Sequence, residues 1–284
     1  MAWLYIAHNW YIYRPLHEDQ KHQLEEIKRI SLIGSGNVAS HLGRQLHNNG
    51  FEIVQVYSRN LAHANRLAEE LESQAVNHIS YINSDADLYL FSLKDDAYEE
   101  VLKEWTLKDV PMAHTSGSLE GSILKSHSEN YAVFYPFQSF SRARKLDWNN
   151  LPLFVNASQA PVLKAMIDMG QSIGARVVQL DHAQRKSYHL AAVFANNFVN
   201  RLYHISQEIC DQEELDFDLL RPLIMETANK VMDSLPSEMQ TGPAKRVDLE
   251  VLNMHYSSMS GDPDKQKVYQ ILSESIIKAQ KDHD

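Results

Sequence analysis

One short segment limits what this chain can become. The apolar run Ile30 to Ile33 passes directly into Gly34-Ser35-Gly36-Asn37-Val38-Ala39, and an amphipathic stretch follows. A strand that ends in G-x-G-x-x-A and opens a helix aims backbone N–H groups outward from the positive end of that helix, which suits a diphosphate. Gly34 permits the tight turn, Gly36 admits close backbone approach, and Ala39 lets the helix pack on the strand. A second strand at Glu52 to Tyr57 completes a βαβ unit, so Gly34, Ser35, Gly36, Asn37, Val38 and Ala39 are expected to line a dinucleotide site.

The end of that second strand reports which dinucleotide. An acid about 20 residues beyond the loop would bond the ribose hydroxyls of NAD. Here the residues are Ser58-Arg59-Asn60. A hydroxyl, a guanidinium and an amide suit a 2'-phosphate, which a carboxylate would repel. NADP(H) is therefore the expected cofactor, with Leu93 and Lys94, after the strand Leu88 to Ser92, as further contacts.

The βαβ pattern continues through a doubly wound arrangement. Strands are expected at Val110 to His114, Ala132 to Tyr135, Leu153 to Asn156 and Arg176 to Leu180. Helices are expected at Val38 to Asn48, Ala62 to Leu71, Tyr98 to Trp105, Leu119 to Lys125 and Ala160 to Ile173. After Leu180 only helical patterns remain, at Gln184 to Ile209, Asp218 to Asp233 and Asp264 to Ala279. The fold class is α/β, a Rossmann-type, mostly parallel sheet followed by a smaller all-α C-terminal domain. The expected partition is residues 1–28 as an extension, 29–181 as the NADP-binding domain and 182–284 as a domain for substrate and dimerisation. Met1 to Tyr13 lacks the basic start and cleavage pattern of a secretion signal, and His17 to Arg29 could form a short helix.

Composition removes several classes of function. A net charge of -10, without a Lys or Arg run longer than two residues, argues against a nucleic-acid partner. No apolar run approaches the ~20 residues of a membrane span. The single cysteine, Cys210, forms no internal disulfide and points to a reducing, cytoplasmic setting. The residues suggest no metal site.

In an open parallel sheet, ligands lie beyond the carboxyl ends of the strands. Two further segments fall there, His114-Thr115-Ser116-Gly117 and Tyr135-Pro136-Phe137-Gln138. An imidazole titrating near neutrality beside two hydroxyls could relay a proton, so His114 and Ser116 are candidates near the nicotinamide, and Tyr135 and Gln138 for substrate. Along the long helix, Leu190, Phe194, Phe198, Leu202, Ile205 and Ile209 form an apolar stripe at 3.6-residue spacing. His189, Val193, Asn196 and Asn200 gather opposite it. That uncharged face reads as a site lining, with His189 as proton donor and Asn196 as substrate orienter, whereas Asn197 lies off the polar axis as a buried, hydrogen-bonded residue. A late turn, Thr241 to Asp248, offers Thr241 to a substrate oxygen and Arg246 to an anionic group, with Asp248 pairing Arg246. A plain capping turn is the alternative there.

These motifs together resemble a family of Rossmann-like proteins with a C-terminal domain of unknown function, labelled NADP oxidoreductases of the deazaflavin-coenzyme type. The resemblance spans about Lys28 to Ala279. More distantly the chain is similar to pyrroline-5-carboxylate reductase and ketopantoate reductase. The resemblance implies two domains, an active site at their junction and a homodimer formed through the helical part. The chain departs from the hydroxyacid dehydrogenases in having no Lys four residues before an Asn in the long helix. His189 stands near that position. Val247 occupies a place where a smaller residue is expected. The leading expectation is an NADP(H)-dependent reductase of a small carbonyl or imine compound. The alternatives are a catalytically silent NADP(H) sensor or scaffold, and a reductase using a deazaflavin coenzyme in an aromatic cleft around Tyr135 and Phe137.

Overall fold

The computed structural model describes residues 26–281. The expectations for Met1 to Tyr13, and for most of the short helix from His17, lie outside the described residues. Within them the first strands and helices are β1 (Arg29–Ile33), α1 (Asn37–Asn48), β2 (Glu52–Tyr57), α2 (Leu61–Glu70), β3 (Gln74–Val76), β4 (Leu88–Phe91) and α3 (Tyr98–Glu104). Next come β5 (Met112–His114), β6 (Tyr131–Pro136), β7 (Pro152–Ala157), α4 (Ala160–Ser172) and β8 (Arg176–Gln179). The helical part comprises α5 (His182–Ala192), a π-helical segment (Val193–Phe198), α6 (Val199–Gln212), α7 (Arg221–Asp233), α8 (Leu249–Ser258) and α9 (Pro263–Lys281).

The eight strands make one sheet in the order β3-β2-β1-β4-β5-β6-β7-β8. All neighbours run parallel except β6 and β7, which are antiparallel, with Ala132 opposite Ala157 and Pro136 opposite Leu153. Both faces are buried, and the strand period of two sorts the side chains. Ile30, Leu32, Leu88 and Leu90 join one core, whereas Ile33, Tyr89 and Phe91 join the other. The chain winds outward from β1 to β3 and returns to place β4 on the other side of β1. The switch point of the doubly wound fold therefore lies between β1 and β4.

The chain divides into two compact units, one running to Ala192 and the other from Val193. The expected boundary at residue 182 falls one helix earlier. α5 is packed with the first unit, and a reciprocal cap starts it: Gln184 N donates to Asp181 Oδ1 at 2.8 Å, and Asp181 N donates to Gln184 Oε1 at 3.0 Å. No helix among the described residues is long and apolar enough to cross a membrane.

Several local expectations need correction. Leu119 to Lys125 is not an α-helix but a single 3₁₀ turn, Gly121–Leu124. β3 and α8 were not expected, because three residues carry no periodicity and because α8 exposes Leu249 and Met254 while burying Leu252. The long helix is interrupted by the π turn, whose wider winding breaks the assumed 100° phase. The apolar stripe is no core face: Leu190, Phe194, Phe198 and Ile209 are all exposed. Asn197 is exposed as well, not buried.

Candidate active site

The glycine loop takes its shape from contacts at both ends. Gly34 N donates to Tyr57 O at 2.9 Å and holds the loop beside the end of β2. Its φ of +130° is outside the range of L side chains, and a Cβ there would lie 2.3 Å from the Ser92 carbonyl oxygen. Gly36 is the opposite case, with nothing within 4 Å of a built Cβ. It caps α1 without any side-chain acceptor, and Ser40 N is bonded back to Gly36 O. The earlier first-turn amides lie at the positive end of the helix dipole. A backbone cradle free of side chains fits a diphosphate.

At the end of β2, Arg59 Nη1 bonds Glu100 Oε2 at 2.8 Å, with both side chains more than half exposed. Such a surface pair contributes little and exchanges readily for a dianion. Asn60 is corrected from ligand to cap: its Oδ1 accepts from Ala62 N and His63 N, which starts α2. Ser58 is half-buried and bonded through its backbone to Val76 O. Leu93 is half-buried and Lys94 exposed at the end of β4.

The segment after β5 also differs from its expected chemistry. His114 is 0% exposed, and burial lowers its pKa from 6.5 to about 4, with the Arg185 cation adding to the effect. It is neutral at physiological pH and cannot act as the near-neutral proton relay that the sequence suggested. Its Nδ1 accepts from Ser116 N at 3.1 Å, so the ring shapes the turn. Ser116 Oγ is likewise engaged, accepting from Ser118 N at 3.1 Å and Leu119 N at 3.0 Å. Both residues help build the loop, while His114 Nε2 is buried without a hydrogen-bond partner.

That loop presses Gly117 against a pair the sequence analysis had placed in separate roles. Tyr135, near the end of β6, lies with its hydroxyl 3.1 Å from His189 Nδ1 on α5. A Cβ on Gly117 would be 2.6 Å from His189 Nδ1 and 2.8 Å from Tyr135 Cζ, so only glycine allows both rings their places. Burial raises the Tyr135 pKa, partly opposed by Arg185, and the phenol keeps its proton at neutral pH. Aromatic rings wall the pair: Phe137 and Phe154 stack at 4.7 Å, and Tyr188 packs on Phe154 at 5.1 Å. Gln138 is exposed next to this wall and turns its Oε1 toward Ser139 N.

Arg185, one helical turn before His189, is 1% exposed. Its Nη2 donates to Leu119 O and approaches His182 Nδ1, while Nε has no partner. Sequence reasoning missed both Arg185 and Gly117. The Asp181-x-x-Gln184 cap was the available sign for Arg185, because it fixes the helix phase that turns residues 185 and 189 inward together. A cavity of about 470 Å³ opens beside Arg185, between Glu120, Tyr131, Asn156 and Asp181, near the opposite end of β6 from Tyr135.

The remaining candidates belong to the second unit. Asn196 lies in the π turn and is exposed, as are Thr241 and Arg246. The expected Arg246–Asp248 pair is not formed. Asp248 instead caps α8, accepting from Val251 N at 3.3 Å, because a free first-turn amide competes for the carboxylate. Val247 adopts a φ of +51°, a left-handed conformation rarely taken by a β-branched residue.

Two family models match this chain. Residues 29–113 match the NADP oxidoreductase, coenzyme F420-dependent family, and residues 151–276 match a domain of unknown function, DUF2520. Curated proteins supply no match. Among solved structures, a provisionally assigned NADP oxidoreductase from Bacteroides fragilis is 40% identical with a TM-score of 0.85, covering 89% of this chain and 99% of its own. Protein TM1727 from Thermotoga maritima is 22% identical with a TM-score of 0.66, over 89% and 99% of the two chains. A reductive aminase from Aspergillus terreus, in complex with NADPH and ethyl-5-oxohexanoate, shares the fold at 13% identity and a TM-score of 0.65, over 90% and 94%. The side-chain-free turn at Gly36 and the cation at Arg59 agree with NADP(H) as cofactor. The chain belongs to the NADP oxidoreductase family represented by the Bacteroides fragilis protein, as a Rossmann-type NADP(H)-binding chain with a helical C-terminal part.

Proposed function

We propose that this protein is an NADPH-dependent reductase of a small carbonyl or imine compound, with His189 as the proton donor. The observation that carries this reading is the Tyr135–His189 hydrogen bond above Gly117, on the sheet edge where the glycine loop lies. Bound NADPH supplies a hydride to the substrate carbon. The chain's own residues must then supply one proton to the oxygen or nitrogen that becomes negative. Tyr135, protonated by virtue of its burial, donates its O–H to His189 Nδ1, which leaves the other imidazole proton on Nε2. That proton passes to the substrate heteroatom as the carbon is reduced, the phenol proton replenishes the ring, and solvent returns a proton to the Tyr135 phenolate once product has left. The aromatic wall of Phe137, Phe154 and Tyr188 beside the pair suits a substrate with apolar substituents.

In this reading the first unit holds the cofactor, and the second provides substrate contacts and self-association as a homodimer. Exposed Phe194, Phe198, Leu219 and Met232 support the dimer, since apolar side chains in such number favour a matching surface. The lone thiol of Cys210 supports a reducing compartment such as the cytoplasm. The test follows NADPH absorbance with keto acids, cyclic imines and an oxidised deazaflavin as acceptors. His189→Ala should lower kcat on the best acceptor by about 10²-fold while NADPH affinity stays constant. An unchanged rate removes His189 from the reaction. Inactivity on every acceptor despite tight NADPH binding favours a silent NADP(H) sensor, and turnover confined to deazaflavin identifies the flavin analogue as the hydride partner.

A further inference from the structure

The loop that follows β6 folds back over the glycine loop. Asn37 Nδ2 donates to the Phe140 carbonyl at 3.0 Å, His41 Nε2 to the Ser141 carbonyl at 2.9 Å, and Arg142 Nη2 to the Ser35 carbonyl at 3.2 Å. Phe140 also packs its ring on His41 at 5.5 Å and on Trp148 at 6.3 Å, which anchors the loop from both sides. Three consecutive residues are thereby tied to the glycine loop and the first turns of α1, about a hundred positions away in the chain.

The Arg142 contact has a chemical meaning beyond fastening. The Ser35 carbonyl shares its peptide group with the Gly36 amide, so the guanidinium sits one peptide from the cradle that Gly36 leaves open. A guanidinium has five donors in a planar fork, and one bond to a carbonyl uses only one of them. Among the described residues no carboxylate pairs with Arg142, whereas Arg59 is paired with Glu100. In a chain of net charge -10, a cation without a carboxylate partner beside an anion cradle offsets the repulsion that a dinucleotide would otherwise meet.

We propose that Arg142 is a cofactor ligand that bonds the diphosphate bridge, distinct from Arg59 at the 2'-phosphate, and that residues 140–142 form a strap over the cofactor. The proposal rests on the NADP(H) site and not on the reductase chemistry, so it is tested by binding alone. Calorimetry on the full chain should show Arg142→Gln weakening NADPH and NADH by the same factor, about tenfold, because the diphosphate is common to both. The salt dependence of binding should become shallower in that variant, since one charge contact is lost. Arg142→Lys should recover part of the affinity.

Unchanged affinity for both dinucleotides overturns the proposal. A loss confined to NADPH also overturns it, because that places Arg142 at the 2'-phosphate, and a loss with unaltered salt dependence reduces Arg142 to a fastener. Should Arg142→Gln fail to fold, the unaltered protein decides. Arg142 modification by phenylglyoxal, read by peptide mass spectrometry, should be suppressed by NADPH and by NADH alike, and failure of either to protect it sinks the assignment. An unaltered protein that binds neither dinucleotide removes the proposal together with the cofactor site.

Discussion

The two units treat apolar side chains in opposite ways. In the first, Ile30, Leu32, Leu42, Leu46, Leu90 and Phe134 are wholly excluded from solvent, and the sheet is buried on both faces. In the second, only Cys210, Ala244 and Leu252 are buried among the described hydrophobic residues, while Met232 is 82% and Leu219 77% exposed. One ion-pair cluster of the second unit also stands apart from its surface pairs. Lys265 of the second unit is nearly covered, held between Glu208 at 3.1 Å and Asp262 at 3.2 Å, whereas the charged pairs of the first unit are on its surface. The first unit has a complete core. The second presents apolar surface that a single copy does not cover, which is the thermodynamic basis for the proposed homodimer.

The largest expected effect tests that contrast directly. Phe194 and Phe198 meet edge to face at 5.0 Å yet are 62% and 49% exposed. Phe194→Asp combined with Phe198→Asp should weaken self-association by about 10³-fold or more, seen by analytical ultracentrifugation. If the unaltered protein sediments as a monomer at micromolar concentration, the contrast loses its explanation. Next in size is the acid response of the first unit. The His114 pKa is lowered to about 4 in the folded chain, so the unfolded chain binds more protons between that value and 6.5. The stability from keeping this ring neutral is fully present above pH 6.5 and should fall by roughly 3 kcal/mol as pH drops to 4. Urea unfolding across that window should show the loss, and His114→Asn should flatten it. A similar slope in that variant would place the acid sensitivity elsewhere. The smallest change in stability belongs to the surface. Arg59→Ala should alter unfolding by less than about 0.5 kcal/mol, yet weaken NADPH about tenfold and leave NADH alone. Equal losses for both dinucleotides would place Arg59 away from the 2'-phosphate.

Legibility in the sequence followed locality and not the division into units. β1 and β2 fall on the expected segments, Arg29–Ile33 and Glu52–Tyr57, and the glycine loop stands between strand and helix as its residues require. These features are local, since a tight turn, a strand period and a helix start are decided within a few residues. The His114 reading failed because burial, a property of the completed fold, moved its titration away from neutrality. The Arg246–Asp248 pair failed because a nearer donor took the carboxylate. His189 and Tyr135 were each singled out, but their pairing depends on Gly117, 72 positions before His189, and no sequence period records such a contact. The π turn was missed because a helical phase assumed to be constant gives no sign of where it widens.

The one antiparallel step in the sheet, from β6 to β7, determines where the long helix begins. Had β7 and β8 run in the direction of β6, the chain after β8 would emerge at the edge that carries the glycine loop, and the following helix would climb away from it. With β7 inverted, Leu180 instead comes out beside Asn156, whose side chain bonds its carbonyl at 2.8 Å, near the start of β6. From His182 the helix then travels back along β6, and seven residues of rise, about 10 Å, bring His189 level with Tyr135. A change of direction between two neighbouring strands thus sets the distance at which an imidazole is delivered to a phenol.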